Sequence, residues 1–122
     1  MHHRTKGRKL ERNRNGRRAL VRSLVESLVV HGRIQTTEAK AKEIKSRIDR
    51  IVNTAKNALV AESRVSTLRL LKSRVSLPTL ERFSDNAFVE RFNKRTSGYA
   101  RVVKLSPRRG DGARMAVLEF VD

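Results

Sequence analysis

Leu20, Val21, Leu24, Val25, Leu28 and Val29 recur at i, i+4, i+8 spacing. That period predicts an amphipathic helix of about four turns with a wide apolar stripe. Asn13 or Asn15 is placed to cap its start and Gly32 to end it. His31, beside that glycine, is placed to meet the last helical carbonyls. Arg33-Ile34-Gln35-Thr36 leaves room only for a short extended piece. Thr37 then precedes a second periodic run, with Glu38 in the first turn, where the helix dipole favours an anion. Ala41, Ile44, Ile48, Ile51 or Val52, Ala55 and Leu59 line one face of this second helix. Glu38–Lys42 and Glu43–Arg47 are i,i+4 pairs in the better order, acid first. Val65, Leu68, Leu71 or Lys72, and Val75 mark a third, weaker helix. Pro78 interrupts, and Ser84 or Asp85 caps a fourth helix carrying Ala87, Phe88 and Phe92.

The pattern changes at Gly98. Tyr99–Leu105 and Met115–Val121 are β-rich segments of seven residues each, joined by a nine-residue loop, Ser106 to Arg114, that contains Pro107, Gly110 and Gly112. This predicts an antiparallel hairpin with a long basic tip. The expected fold is α+β and two-layered, in the order helix, short strand, three helices, β-hairpin, with the helices on one face of a small sheet. At 122 residues, 38% of them apolar, the chain has material for one modest core and not two. The expected organisation is a basic extension over residues 1–18 and a single compact domain over 19–122, with the basic hairpin loop near 106–114.

Charge sharpens this picture. The net charge is +17, and it is uneven. Residues 1–18 hold eight Arg or Lys against Glu11 alone, a net +7; residues 91–114 hold another +7. A segment so charged and so poor in apolar groups cannot repay its ordering entropy unaided, so the extension is expected to order on a partner. The abundant polyanion that suits it is a nucleic-acid backbone, and arginine offers phosphate a planar fork that lysine lacks. Aromatics are only 4% of residues. Phe88, Phe92 and Phe120 read as core; Tyr99 is the one candidate for stacking on a base, and a core role suits it equally. The contacts expected are therefore to backbone and shape, not to base edges. The same charge would serve a DNA-compacting protein, and the residues alone do not separate that from RNA. A membrane-active role ranks last, because the helices also carry acids and their apolar stripe is needed for the core.

Other chemistries find little support. The absence of cysteine excludes disulfides, thiolate catalysis and cysteine metal sites. His2-His3 is a poor metal site with no further ligand nearby. The acids fall mostly on helices beside basic partners, and no nucleophile elbow or phosphate-cradling glycine loop occurs. Arg109-Gly110-Asp111 spells an adhesion tripeptide but reads better as part of a basic loop. The longest run free of charge is six residues, so no membrane span is expected. No apolar segment follows the basic N-terminus as a secretory signal would require. The chain is thus expected to be no enzyme, with no cofactor, no metal and no small-molecule substrate.

The residues also resemble a known family, the seventeenth protein of the bacterial large ribosomal subunit. The likeness runs through His3-Arg4, Leu10-Glu11-Arg12-Asn13, Arg17-Arg18-Ala19-Leu20 and Ser27-Leu28-Val29. It continues through His31-Gly32-Arg33-Ile34-Gln35-Thr36-Thr37, Ala41-Lys42-Glu43 and, more loosely, Ile51-Val52-Asn53-Thr54-Ala55-Lys56. It returns at Gly98-Tyr99-Ala100-Arg101, Gly110-Asp111 and Met115 to Asp122. Ala100 stands where the family often has threonine, and Arg114 where it often has proline. The resemblance implies a structural protein of the large subunit in the cytoplasm. It would bind large-subunit ribosomal RNA, with neighbouring ribosomal proteins, toward the side where the nascent peptide leaves. A homo-oligomer is not expected. The residues expected to hold the RNA are Arg4, Lys6, Arg8, Lys9, Arg12, Asn13, Arg14, Arg17, Arg18 and Arg22 at the N-terminal side. On the hairpin side they are Lys94, Arg95, Tyr99, Arg101, Arg108 and Arg109.

Overall fold

A computed structural model of the chain describes residues 7–58 and 64–121. The elements are α1 (Arg14–His31), β1 (Arg33–Thr37), α2 (Glu38–Asn57), α3 (Arg64–Arg74), α4 (Leu77–Phe83), α5 (Asn86–Glu90), β2 (Ala100–Lys104) and β3 (Met115–Phe120). The class is the expected α+β, with one helix more than the sequence pattern gave. Leu59 of the predicted second-helix face lies outside the described residues.

Local chemistry fixes the ends of these elements. The Asn13 side chain accepts a hydrogen bond from the Gly16 amide at 2.8 Å, which satisfies a free N–H of the first turn of α1. Gly32 closes the helix in the left-handed region, φ +80°, donating its amide to the Leu28 carbonyl at 2.7 Å. The His31 side chain is exposed and makes no hydrogen bond among the described residues, so Gly32 performs the capping in which the histidine was expected to share. Pro78, which the sequence pattern reads as an interruption, lies in the first turn of α4. A proline there gives up an amide that no helical carbonyl would have used, so it starts a helix instead of ending one. Asp85 caps α5 by accepting from the Ala87 amide at 3.0 Å.

The sheet has the order β1-β3-β2, antiparallel throughout. Arg33 pairs with Glu119 and Thr37 with Met115 on one side of β3; Ala100 pairs with Phe120 and Lys104 with Ala116 on the other. The short extended piece after α1 is thus a full edge strand, and the hairpin supplies the other two strands. One sheet face, carrying Ile34, Ala100, Val102, Ala116, Leu118 and Phe120, meets the helices. Against it pack Val25, Leu28 and Val29 of α1, and Ala41, Ile44, Ile48, Val52 and Ala55 of α2. The other face presents Arg33, Gln35, Arg101 and Val103 to solvent.

At the end of the sheet where Ala100 pairs with Phe120, the aromatic side chains form one connected cluster. Phe83–Phe88, Phe88–Phe92, Phe92–Phe120 and Phe92–Tyr99 have ring centroids 5.5, 5.5, 5.2 and 5.6 Å apart. Tilted and edge-on contacts at such separations suit the ring quadrupoles. Tyr99 is fully buried. Its hydroxyl donates to Asn53 Oδ1 at 2.5 Å, lies 3.1 Å from the Arg95 carbonyl and accepts from the Lys56 ammonium at 3.2 Å. Asp49 of α2 accepts from the Gly98 and Tyr99 amides at 3.3 and 3.1 Å, pinning the chain as it enters β2.

The loop between β2 and β3 closes on itself. Arg108 donates from Nε and Nη2 to the two carboxylate oxygens of Asp111, at 3.0 and 2.6 Å, and Asp111 also accepts from the Ala113 amide at 3.1 Å. The Arg108 hydrogen bonds, with that of Ala113 second, hold the Asp111 carboxyl well below the usual carboxylate range.

Two outcomes test this description. Tyr99→Phe is expected to lower unfolding free energy by about 1 kcal/mol, the net worth of a hydrogen bond of this kind, as measured by urea denaturation of the RNA-free protein. For the loop, a carbon-13 titration of the full chain is expected to show Asp111 still ionised where free aspartate is already protonated. Because its folded pKa is depressed, the Arg108 lock is intact above the ordinary carboxylate pKa and is lost as pH falls through the lowered one. Arg108→Ala is expected to move the midpoint upward, and an unmoved midpoint would refute the assignment of its cause.

Candidate nucleic-acid interface

Arg4 and Lys6 lie outside the described residues. From Gly7 the arm runs as turn and coil into α1, so Arg14, Arg17 and Arg18 stand on its first turns. No carboxylate occupies the first turn of α1, and the positive end of the helix dipole is flanked by arginines. In the free chain these charges reinforce one another.

Among the described residues the arm is tied to the body through Glu43. Glu43, on the buried face of α2, accepts from the Arg8 amide at 3.3 Å and lies 3.7 Å from Arg8 Nη1. The same carboxylate accepts from Arg47 Nε at 3.3 Å. Beyond this tether the arm turns through Leu10 and Glu11, both in the left-handed region at φ 54° and 55°. That backbone costs a residue with a side chain roughly 1–2 kcal/mol. Lys9, Arg12 and Arg14 are exposed and make no ion pair among the described residues, and the Arg17 guanidinium donates to the Arg12 carbonyl at 3.3 Å.

On α1, Arg18 and Arg22 are one turn apart and line a cleft with Arg47, Arg50 and Ile51 of α2 and Ser73 and Arg74 of α3. Arg22 donates to the Ser73 carbonyl at 2.9 Å. Arg47, Arg50 and Arg74 were not among the expected contact residues. Arg47 and Arg50 come from α2 and Arg74 from α3, so no single window along the sequence marks the three as a cluster.

The basic residues of 91–114 do not gather at one end of the sheet. The hairpin does pack beside the last helix, through Phe120 against Phe88 and Phe92 at 6.2 and 5.2 Å. But Lys94 and Arg95 lie at that end of the sheet, while Arg108 and Arg109 lie beyond the other end. The five residues of β2 set the two groups roughly 13 Å apart at about 3.3 Å per residue. Arg101, between them, donates to Glu119 across the strands at 2.7 Å. Arg91, which the sequence placed in this cluster, lies over the rings of Phe88, Phe92 and Phe120 at 5.7, 5.3 and 5.6 Å. Lys104 lies 3.7 Å from Glu38, whose carboxyl is held below its ordinary range, chiefly by the hydrogen bond from Lys42. Arg109 is exposed and without an ion pair among the described residues, whereas Arg108 serves the loop itself.

The expectation that Tyr99 offers its ring to RNA is corrected by its burial: no face is open and the hydroxyl is fully engaged. All five aromatic rings of the chain sit in the connected cluster. The exposed chemistry left is guanidinium and ammonium, which can neutralise phosphate but cannot stack a strand on an aromatic platform. Among the described residues no group of acidic or histidine side chains converges on a metal site. No described helix is long and apolar enough to cross a membrane.

Comparison with known proteins gives the same direction. The model of the family described as ribosomal protein L17 matches residues 20–121. A relative from Rubrobacter xylanophilus, named large ribosomal subunit protein bL17, is 39% identical over 122 residues, covering 100% of this chain and 97% of its own length. Relatives of the same name from Lactiplantibacillus plantarum and Acholeplasma laidlawii are 39% and 40% identical, covering 94% and 93% of this chain and 98% and 96% of their own lengths. Such a protein is structural and not an enzyme. With a family model matched over residues 20–121 and a relative 39% identical along the whole chain, the protein belongs to the ribosomal protein L17 family.

Proposed function

We propose that this protein is a structural constituent of the large ribosomal subunit in the cytoplasm, held there by large-subunit ribosomal RNA and by neighbouring ribosomal proteins. It binds the RNA by neutralising phosphates, and its basic arm orders as it binds. The observation that carries this reading is the division of labour among side chains. Every aromatic ring is buried, while Lys9, Arg12, Arg14, Arg18 and Arg109 stand exposed without an internal counterion among the described residues. Affinity then comes from counterion release and from shape, not from base readout. The arm is suited to reorganisation, because among the described residues Glu43 tethers it and Leu10 and Glu11, beyond the tether, hold a costly backbone conformation. The compact domain supplies a rigid base from which the arm and hairpin loop reach outward. A second copy has no place in this scheme, since like-charged surfaces of this density repel.

The test is the salt dependence of binding to large-subunit ribosomal RNA. If about eight phosphates are neutralised on duplex-like RNA, log Kobs falls against log salt with a slope near −7. Replacing Arg4, Lys6, Arg8, Lys9 and Arg12 by glutamine in the full chain is expected to flatten that slope by about 4.5, at about 0.9 per phosphate contact. An unchanged slope would remove the arm from the interface. In a lysate gradient the wild-type protein is expected to stay with the large subunit through a moderate salt wash; sedimentation with the nucleoid would favour a DNA-compacting role instead.

A further inference from the structure

The cleft between α1, α2 and α3 holds five arginines around an apolar floor. Arg18, Arg22, Arg47, Arg50 and Arg74 line it above Val21 and Ile51, and it encloses about 300 Å³. Two of the five are used internally: Arg47 with Glu43 and Arg22 with the Ser73 carbonyl. Arg18, Arg50 and Arg74 are exposed and have no ion pair among the described residues. A folded chain that gathers cations from three helices into one concavity meets mutual repulsion there, which a bound anion removes.

We infer that this cleft seats a stretch of RNA backbone, as an additional phosphate-binding surface that begins where the arm ends. The inference rests on the RNA-binding reading above and extends it to Arg47, Arg50 and Arg74. Three observations favour RNA over an acidic protein segment. The donors are all guanidinium groups, whose planar forks match phosphate oxygens in pairs. Arg18 belongs to both surfaces, so a strand neutralised along Arg12, Arg14 and Arg18 continues directly into the cleft. The floor is narrow, only Val21 and Ile51, and offers little to the apolar anchors that protein partners use. Arg22 and Arg47, fixed by Ser73 and Glu43, hold the walls in place, while Arg18, Arg50 and Arg74 are free to close on a phosphate.

The experiment compares the full chain with the double variant Arg50→Gln/Arg74→Gln in binding to large-subunit ribosomal RNA across a salt series. Both residues are exposed on helix surfaces and make no ion pair, so the fold is expected to persist, with circular dichroism as the check. The slope is expected to flatten by about 1.8, two contacts at about 0.9 each. Because the chain has no cysteine, Ser73→Cys gives a single thiol at the cleft rim for a tethered iron chelate. Hydroxyl radicals from it are expected to cut the RNA at a small, discrete set of nucleotides in the assembled subunit. A steep wild-type slope unchanged in the double variant, or a tether that cuts no RNA or reaches only a neighbouring protein, overturns the cleft assignment and leaves the arm in place. A wild-type protein with no salt-dependent binding overturns both readings together.

Discussion

The seating of α2 on the sheet is the contact on which the rest of the molecule depends. Ile44, Ile48 and Val52 are wholly buried, with Leu118 and Ala116 of β3 on the opposite side of the same core. A chain with a net charge of +17 has little else to oppose its own repulsion. That helix also carries the carboxylates that organise its surroundings. Asp49 holds the entry to β2, Glu38 meets Lys42 and Lys104, and Glu43 meets Arg8 and Arg47. Apolar burial supplies the cohesion, and a few acids on its margin decide where the surplus cations point.

The acids are few, twelve against twenty-nine Lys and Arg, and several have definite tasks. Asp85 caps a helix, Asp111 closes a loop, and Glu119 restrains Arg101 on the outer face of the sheet. Such exposed pairs add little to stability. Their effect is geometric: Arg101 and Arg108 are set in position, while Arg109 and the arginines of the arm are left uncommitted. Surface charge in this fold is therefore sorted into cations that build the scaffold and cations that await a partner.

Much of the framework was legible along the chain because its signals are local. Asn13 and Gly32 mark the limits of α1, the periodic apolar face of α2 ends in the core as its spacing demands, and Asp85 starts the last helix. What escaped was what depends on distance. Pro78 carries the same local signature whether it breaks a helix or begins one, and only the packing of Phe83 and Thr79 decides for α4. The pairing of β1 with β3 joins residues far apart along the chain, Arg33 with Glu119. Tyr99 stood open between stacking and core, and its three hydroxyl neighbours, on α2 and in the turn before β2, settle that from outside its own segment. The hairpin's basic residues form one cluster along the sequence but two in space, because a strand separates them. The cleft arginines do the reverse.

Glu43 brings one negative charge to a place where two guanidinium groups converge, one from the arm and one from the wall of the cleft. With the arm in place the trio carries a surplus of one positive charge. One carboxylate oxygen faces each arginine, so a single acid couples the arm to the cleft wall and leaves half its charge for each.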